Sequence, residues 1–175
     1  MKVVDAMARI LEIEDVTRRV IFLDIDGVLA PIRRGDRYGD LDPACIEVLN
    51  EIVVRAGADV VVSSTWRHGK TAAELQEILE AQGFTGRVVD KTPTGTPGAD
   101  RRDEIAAWLA EHDVSGYVII DDHDNMGELS PRLVLTQPAH GLRPADAPRA
   151  IAILMRTNRQ GYGHTVGPSS SDSRN

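Results

Sequence analysis

Val20-Ile21-Phe22-Leu23-Asp24-Ile25-Asp26-Gly27-Val28-Leu29 is the stretch from which the rest of the chain can be read. A short apolar, β-branched run ends in a carboxylate, one apolar spacer, a second carboxylate and a glycine. A run of this length bounded by Gly predicts a buried strand at about residues 20–25. Two acids at its tip serve no structural purpose, because unpaired buried charge is expensive. They must face a cation, a substrate or both. In an open α/β sheet the ligand crevice lies outside the carboxyl ends of the strands.

The flanking sequence supplies the other elements of such a sheet. Upstream, Ala6, Ile10, Leu11 and Ile13 fall loosely at helical spacing and predict a short lead-in helix over 5–15. Downstream, Ala30 to Gly39 carries Arg33, Arg34 and Arg37 and predicts a loop or small hairpin over the strand tip. Asp42-Pro43 opens a helix as N-cap and first residue, its apolar face running from Cys45 to Ala56, and Gly57 stops it. Asp59 to Ser64 predicts a second strand. Thr71-Ala72-Ala73-Glu74 fits a capping box, and Gly83 ends the helix it opens. Arg87-Val88-Val89 reads as a short third strand, Lys91 to Ala99 as a loop, and Asp100 as the cap of a helix bearing Ile105, Trp108 and Leu109. Tyr117 to Ile120 predicts a fourth strand that runs straight into Asp121-Asp122. Leu133 to Leu135 predicts a fifth, and a helix opening near Asp146 closes the series. Strands alternating with helices predict a parallel sheet with helices on both faces.

Composition narrows the classes. The 175 residues suit one domain, expected over 1–157, with 158–175 a flexible tail. The formal net charge of −7 argues against broad nucleic-acid affinity, which rests on basic patches. Cys45 is the single cysteine, so no internal disulfide is possible and a cytoplasmic location is expected. The N-terminus lacks the apolar core of a signal peptide, and no run reaches membrane-spanning length.

Three predicted strands end in reactive groups: Asp24 and Asp26, Ser63 with Ser64, and Asp121 with Asp122. In a parallel sheet these tips converge on one edge. Crowded carboxylates repel; at about 4 Å and an effective dielectric near 20, each pair costs roughly 4 kcal/mol. A hard divalent cation relieves this. Mg2+ takes oxygen ligands, often one or two protein carboxylates plus a phosphate. Arginines and Ser63 suit the remaining phosphate oxygens.

These residues resemble the haloacid-dehalogenase-type (HAD) phosphohydrolases. Asp24-Ile25-Asp26-Gly27-Val28-Leu29 matches the first family motif, DxDG[TV]L. Val60-Val61-Val62-Ser63 matches the second and Ile119-Ile120-Asp121-Asp122 the fourth. For the third, a cation near a helix start, Arg101 and Arg102 stand at the right place and Lys91 is a rival. The resemblance covers roughly residues 20–155 and implies a Rossmann-like HAD fold with about five parallel strands. It implies that Asp24 is the nucleophile, and that Asp26 protonates the leaving oxygen and then activates water. It implies Mg2+ held by Asp24, the backbone carbonyl of Asp26 and Asp122, with Asp121 a further ligand or an orienting group. Ser63 and Arg101, or Lys91, would bind the transferring phosphoryl.

HAD enzymes usually gate the site with an inserted cap. Neither the Ala30–Ala58 segment nor the one between Ser63 and Arg101 is long enough to hold one, so a capless, open site is expected. The chain resembles the phosphatase halves of polynucleotide kinase–phosphatases. It also resembles HAD domains of RNA-repair enzymes, which share the strand-tip Ser, a Trp-Arg pair like Trp66-Arg67 and a Thr-Pro loop. That resemblance implies removal of a terminal phosphate from an RNA or DNA end. Arg33, Arg34, Arg37 and Arg67 would grip a flanking phosphate, and Trp66 or Tyr38 would stack on a base. Taken singly, Arg33, Arg34 and Arg37 read as solvated surface, and Trp66 as core no less than as ligand. A small-molecule phosphatase such as a 5′-nucleotidase keeps the same chemistry, and a non-catalytic HAD-fold binding module keeps only the fold. A phosphorylatable receiver domain has its acids in the wrong order. The Thr92–Gly98 loop lacks the Gly-Lys-Ser/Thr ending of a nucleotide-triphosphate loop. The histidines show no metal spacing, although His123 adjoins the site by sequence.

Overall fold

Five parallel strands form one sheet in the computed structural model, which describes residues 18–35, 37–94 and 99–157. They are β1 (Arg19–Leu23), β2 (Ala58–Val62), β3 (Val88–Lys91), β4 (Gly116–Asp121) and β5 (Leu133–Leu135), in the order β3-β2-β1-β4-β5. The helices are α1 (Pro43–Ala56), α2 (Ala72–Glu80), α3 (Arg101–Glu111) and α4 (Ala147–Leu154). The fold is the expected α/β, Rossmann-like one. Among the described residues the β1–β2 connection holds only α1 and turns, and the β2–β3 connection a 3-10 turn (Thr65–Arg67) and α2, so neither carries a cap. The lead-in helix expected at 5–15 and the tail expected at 158–175 lie outside the described residues. No described helix is long and apolar enough to cross a membrane.

The apolar runs form strands because both of their faces are covered. Ile21, Leu23, Val60, Val62, Val118 and Ile120 point into one core with α1, α2 and α4. Val20, Phe22, Val61, Ile119 and Leu133 point into the other, against Ile105 and Trp108 of α3. The asymmetry follows from connectivity. The chain steps from β1 to β2 to β3 in one direction and then crosses back to β4 on the far side of β1. Right-handed crossovers in opposite directions place their helices on opposite faces. The reversal leaves a switch point between β1 and β4, where a ligand crevice opens at the strands' carboxyl ends.

Most local signals behave as expected. Asp42 Oδ1 accepts from Ala44 N at 3.0 Å with Pro43 beginning α1, and Gly57 closes it at φ 60°. Thr71 and Glu74 form the reciprocal capping box of α2. Two details differ. Asp100 occupies the N-cap position of α3 but makes no cap bond, its carboxylate pairing with Arg102 at 3.1 Å instead. β3 runs on to Lys91 through a register shift between Val60 and Val61, a bulge on a half-buried edge strand. The segment after β1 is a loop, one of the two forms expected, with Ile32 N bonded to Pro138 O.

Phe22 is fully buried and sits edge-on to Trp108 and Tyr117, with centroids 5.3 and 5.9 Å away. Phe22→Ala is expected to cost about 3–5 kcal/mol of stability, read as a lowered urea midpoint.

Candidate active site

The tips of β1 and β4 bring three carboxylates together at the switch point. Asp24 lies one residue past β1 and still joins the ladder, its N–H bonded to Ile120 O at 3.0 Å. Asp121 ends β4, and Asp122 follows. One ligand atom from each of Asp24, Asp121, Asp122 and His123 lies within 4.8 Å of all the others. Arg101, the first residue of α3, reaches in from the opposite side. Its Nη1 stands 2.7 Å from Asp121 Oδ2 and 3.0 Å from Asp24 Oδ1. Burial works against the Arg101 charge, but Asp121 and Asp24 outweigh it and raise its pKa. Burial also pushes the Asp121 carboxyl up to about 6; Arg101 offsets part of this, and Asp24 adds to it. His123 is exposed, with Nδ1 2.6 Å from Asp122 Oδ1 and 3.4 Å from Asp121 Oδ1. Burial would lower its pKa, but the two acids raise it.

Gly27 makes this packing possible. Its φ of 74° favours glycine, and a Cβ there would overlap the Asp122 carboxylate, whose Cγ would be 2.7 Å away. The Gly27 carbonyl accepts from Thr136 Oγ1 at 2.9 Å, tying the turn to the residue after β5. Asp26, one residue earlier, turns its side chain out of the acid cluster. Its Oδ2 accepts from the indole Nε1 of Trp66 at 3.0 Å. The Tyr38 hydroxyl faces the same carboxylate, and hydrogen bonding to Asp26 and its charge raise the phenol's pKa. Asp26, Tyr38, Thr65, Trp66, Lys70 and Ile78 line an open groove beside the cluster.

Among the described residues, four buried polar atoms lack a hydrogen-bond partner: Asp26 Oδ1, Ser63 Oγ, Thr92 Oγ1 and Asp122 Oδ1. The last faces the His123 imidazole, whose Nδ1 lies 2.6 Å away and forms an ion pair with it when the ring is protonated. All four follow the tips of β1, β2, β3 or β4. Unsatisfied buried groups are rare in native proteins. Four at one edge of a sheet indicate that the site is built for an added ligand. The donors fit one: carboxylate oxygens for a hard cation such as Mg2+, hydroxyls and Arg101 for a phosphate. Thr92 escaped the sequence reading. Its signal is register: Val62 pairs with Lys91, so Thr92 stands beside Ser63 as the next strand's tip residue.

The other basic residues distribute differently from expectation. Arg67 is only 2% exposed and cannot grip a flanking phosphate. Its guanidinium donates to Ser63 O, Ser64 O and Thr92 O at 2.9, 2.8 and 3.2 Å and pairs with Glu104 at 2.6 Å. Burial lowers its pKa, and Glu104 holds it up. Lys91 Nζ donates to the carbonyls of Arg67 and Lys70. Arg102 pairs with Asp100 and Asp103. Arg33 is held by Ala139 O and Asp42, and with Arg37 it lines a hollow at the start of α1, not the groove beside Asp26. Arg34 is exposed.

Comparison with known proteins gives one match. A family model described as the HAD domain in Swiss Army Knife RNA repair proteins matches residues 20–147. No curated protein and no solved structure matches the chain.

Two outcomes are expected. The raised Asp121 pKa means that, between the ordinary carboxylate value and about 6, the native state holds a proton the unfolded chain releases. His123, also raised, acts in the same direction at slightly higher pH. The melting temperature in metal-free buffer therefore rises as pH falls from about 7.5 to 5.5, and Asp121→Asn flattens that slope. Arg67→Ala removes the buried ion pair to Glu104 and the guanidinium donors to Ser63 O and Thr92 O. It should cost about 3–5 kcal/mol in denaturant unfolding.

Proposed function

The chain belongs to the family of HAD domains found in Swiss Army Knife RNA repair proteins, and from that membership we propose a Mg2+-dependent phosphomonoesterase that removes a terminal phosphate from a nucleic-acid end. The observation that carries the chemistry is the convergence of Asp24, Asp121 and Asp122 on Arg101, together with a buried Ser63 hydroxyl that has no hydrogen-bond partner among the described residues.

Asp24 is the nucleophile in this reading. One carboxylate oxygen attacks phosphorus as the bond to the leaving oxygen breaks, giving an aspartyl-phosphate. Asp26 gives its proton to the leaving oxygen. Water then attacks phosphorus, Asp26 takes the water's proton, and the bond to Asp24 breaks to release inorganic phosphate. Asp24, Asp122 and the backbone carbonyl of Asp26 would hold Mg2+, which would supply positive charge to offset the repulsion between a carboxylate and a phosphate dianion. Arg101 and Ser63 bind the phosphoryl oxygens. Arg101 restrains Asp24 and balances Asp121.

The uncapped edge supports a large substrate. With nothing to close over a small molecule, binding energy must come from outside the phosphate pocket, where remote contacts orient the reacting group. The groove beside Asp26 offers them: Tyr38, 71% exposed, has a ring for a base, and Lys70 has a charge for a neighbouring phosphate.

The test is a substrate panel: 3′-phosphate oligonucleotide, 5′-phosphate oligonucleotide, mononucleotide and aryl phosphate. The wild type should prefer an oligonucleotide and be silenced by excess chelator, and Asp24→Asn should lose orders of magnitude in kcat. Lys70→Ala should lower kcat/KM selectively on the oligonucleotide, by about one to two decades for a charged hydrogen bond. Preference for the mononucleotide would assign the site to a small-molecule phosphatase instead. Near-wild-type turnover by Asp24→Asn would remove the nucleophile assignment.

A further inference from the structure

Trp66 stands where it can control the proton on Asp26. Its indole Nε1 is 3.0 Å from Asp26 Oδ2, and Asp26 Oδ1 is buried with no hydrogen-bond partner among the described residues. An indole N–H only donates, whereas a protonated carboxyl donates from one oxygen and accepts at the other. If the proton lay on Oδ2, two donors would face each other. With the indole donating to Oδ2, Oδ1 is the oxygen left to exchange a proton with the leaving group or water. We propose that Trp66 is a positioning residue for the general acid, holding Asp26 Oδ2 so that Oδ1 carries the proton delivered to the leaving oxygen. The inference rests on the phosphatase reading above, in which Asp26 is the acid.

The indole is itself held by the protein. It sits in the 3-10 turn that follows β2, where Ser64 Oγ accepts from Trp66 N at 3.4 Å and Lys70 Nζ donates to Trp66 O at 3.3 Å. The next residue is Arg67, whose buried guanidinium ties the turn to Thr92 and Glu104. On the other side, Gly39 brings the loop after β1 close to the ring; a Cβ there would lie 3.5 Å from Trp66 Cζ2. Tyr38 also faces Asp26 and Lys70 lines the groove, so without the indole the carboxyl has other donors to turn toward. A leaving group aligned with Oδ1 then meets the acid in only a fraction of encounters.

The proton moves in two balanced steps. It passes from Asp26 Oδ1 to the leaving oxygen, which keeps the electron pair of the broken P–O bond. The resulting carboxylate takes a proton back from the water that attacks the phospho-Asp24, so one ester and one water yield one alcohol and one phosphate.

General acid catalysis matters most when the leaving oxygen is basic, and that dependence tests the proposal. kcat/KM would be measured for wild type, Asp26→Asn and Trp66→Phe on monoesters ranging from nitrophenyl to alkyl phosphates. Asp26→Asn should lose far more on alkyl than on nitrophenyl esters. Trp66→Phe, which keeps an aromatic ring and deletes the N–H, should show the same trend, with a loss about ten-fold greater on alkyl esters, within the range of general acid effects. An equal loss across the series in Trp66→Phe, alongside a steep dependence in Asp26→Asn, overturns the role of Trp66 and leaves the phosphatase reading standing. A flat series in Asp26→Asn overturns the acid assignment itself. If Trp66→Phe does not fold, Trp66→His serves. Its imidazole carries an N–H two bonds from Cγ, as the indole does, so it should keep a series close to wild type. A series from Trp66→His that matches Asp26→Asn rejects the proposal.

Discussion

Everything at the carboxyl edge of the sheet depends on how three carboxylates are kept together. Asp24, Asp121 and Asp122 meet where strand order reverses, because β1 and β4 are neighbours and both end in acids. Their repulsion alone would splay the two strand tips. Arg101 opposes it by bridging Asp24 and Asp121 through a single nitrogen. The compensation is incomplete: the Asp121 carboxyl still sits near 6, and Asp122 Oδ1 lies buried against the His123 imidazole. The metal-free site is thus strained electrostatically in the sense that a bound cation relieves.

A second arginine does the opposite work. Arg101 meets acids that a ligand also needs; Arg67 meets carbonyls and Glu104 and is closed to ligands. Its five N–H groups are suited to bracing several strand-end carbonyls at once. It locks the ends of β2 and β3 against α3, and the turn that carries Trp66 inherits that rigidity. Arrangement of the phosphate pocket and orientation of the proposed acid therefore share one buried anchor.

The residues alone carried much of this. A buried run ending in Asp24-Ile25-Asp26-Gly27 is a local contradiction that only a site resolves, so the strand and its acids were both legible. Asp42-Pro43 and Gly57 bounded α1 because capping chemistry is local. The arginines were different. Arg67 closes a 3-10 turn and Arg101 opens α3, and nothing nearby in sequence separates a clamp from a counter-charge. Which one is buried among carbonyls is decided by Glu104 and Thr92, 37 and 25 positions away. The bond from Trp66 to Asp26 spans 40 positions and was illegible for the same reason. Polar Asp90 and Lys91 hid the end of β3, since an edge strand tolerates them and a bulge shifts their register.

The pairing of β1 has a consequence for how the chain assembles. Arg19 is in register with Ala58 on one side and Gly116 on the other, so the strand bearing the first acids waits for a partner nearly a hundred residues later. Such distant closure is slow and comes late. Until then Asp24 has no like charge beside it. When β4 does dock, Asp121 and Asp122 arrive on the same contiguous segment as Arg101, twenty positions ahead of Asp121. The chain delivers the charge conflict and its relief together, and no intermediate lacking β4 has to bear the repulsion alone.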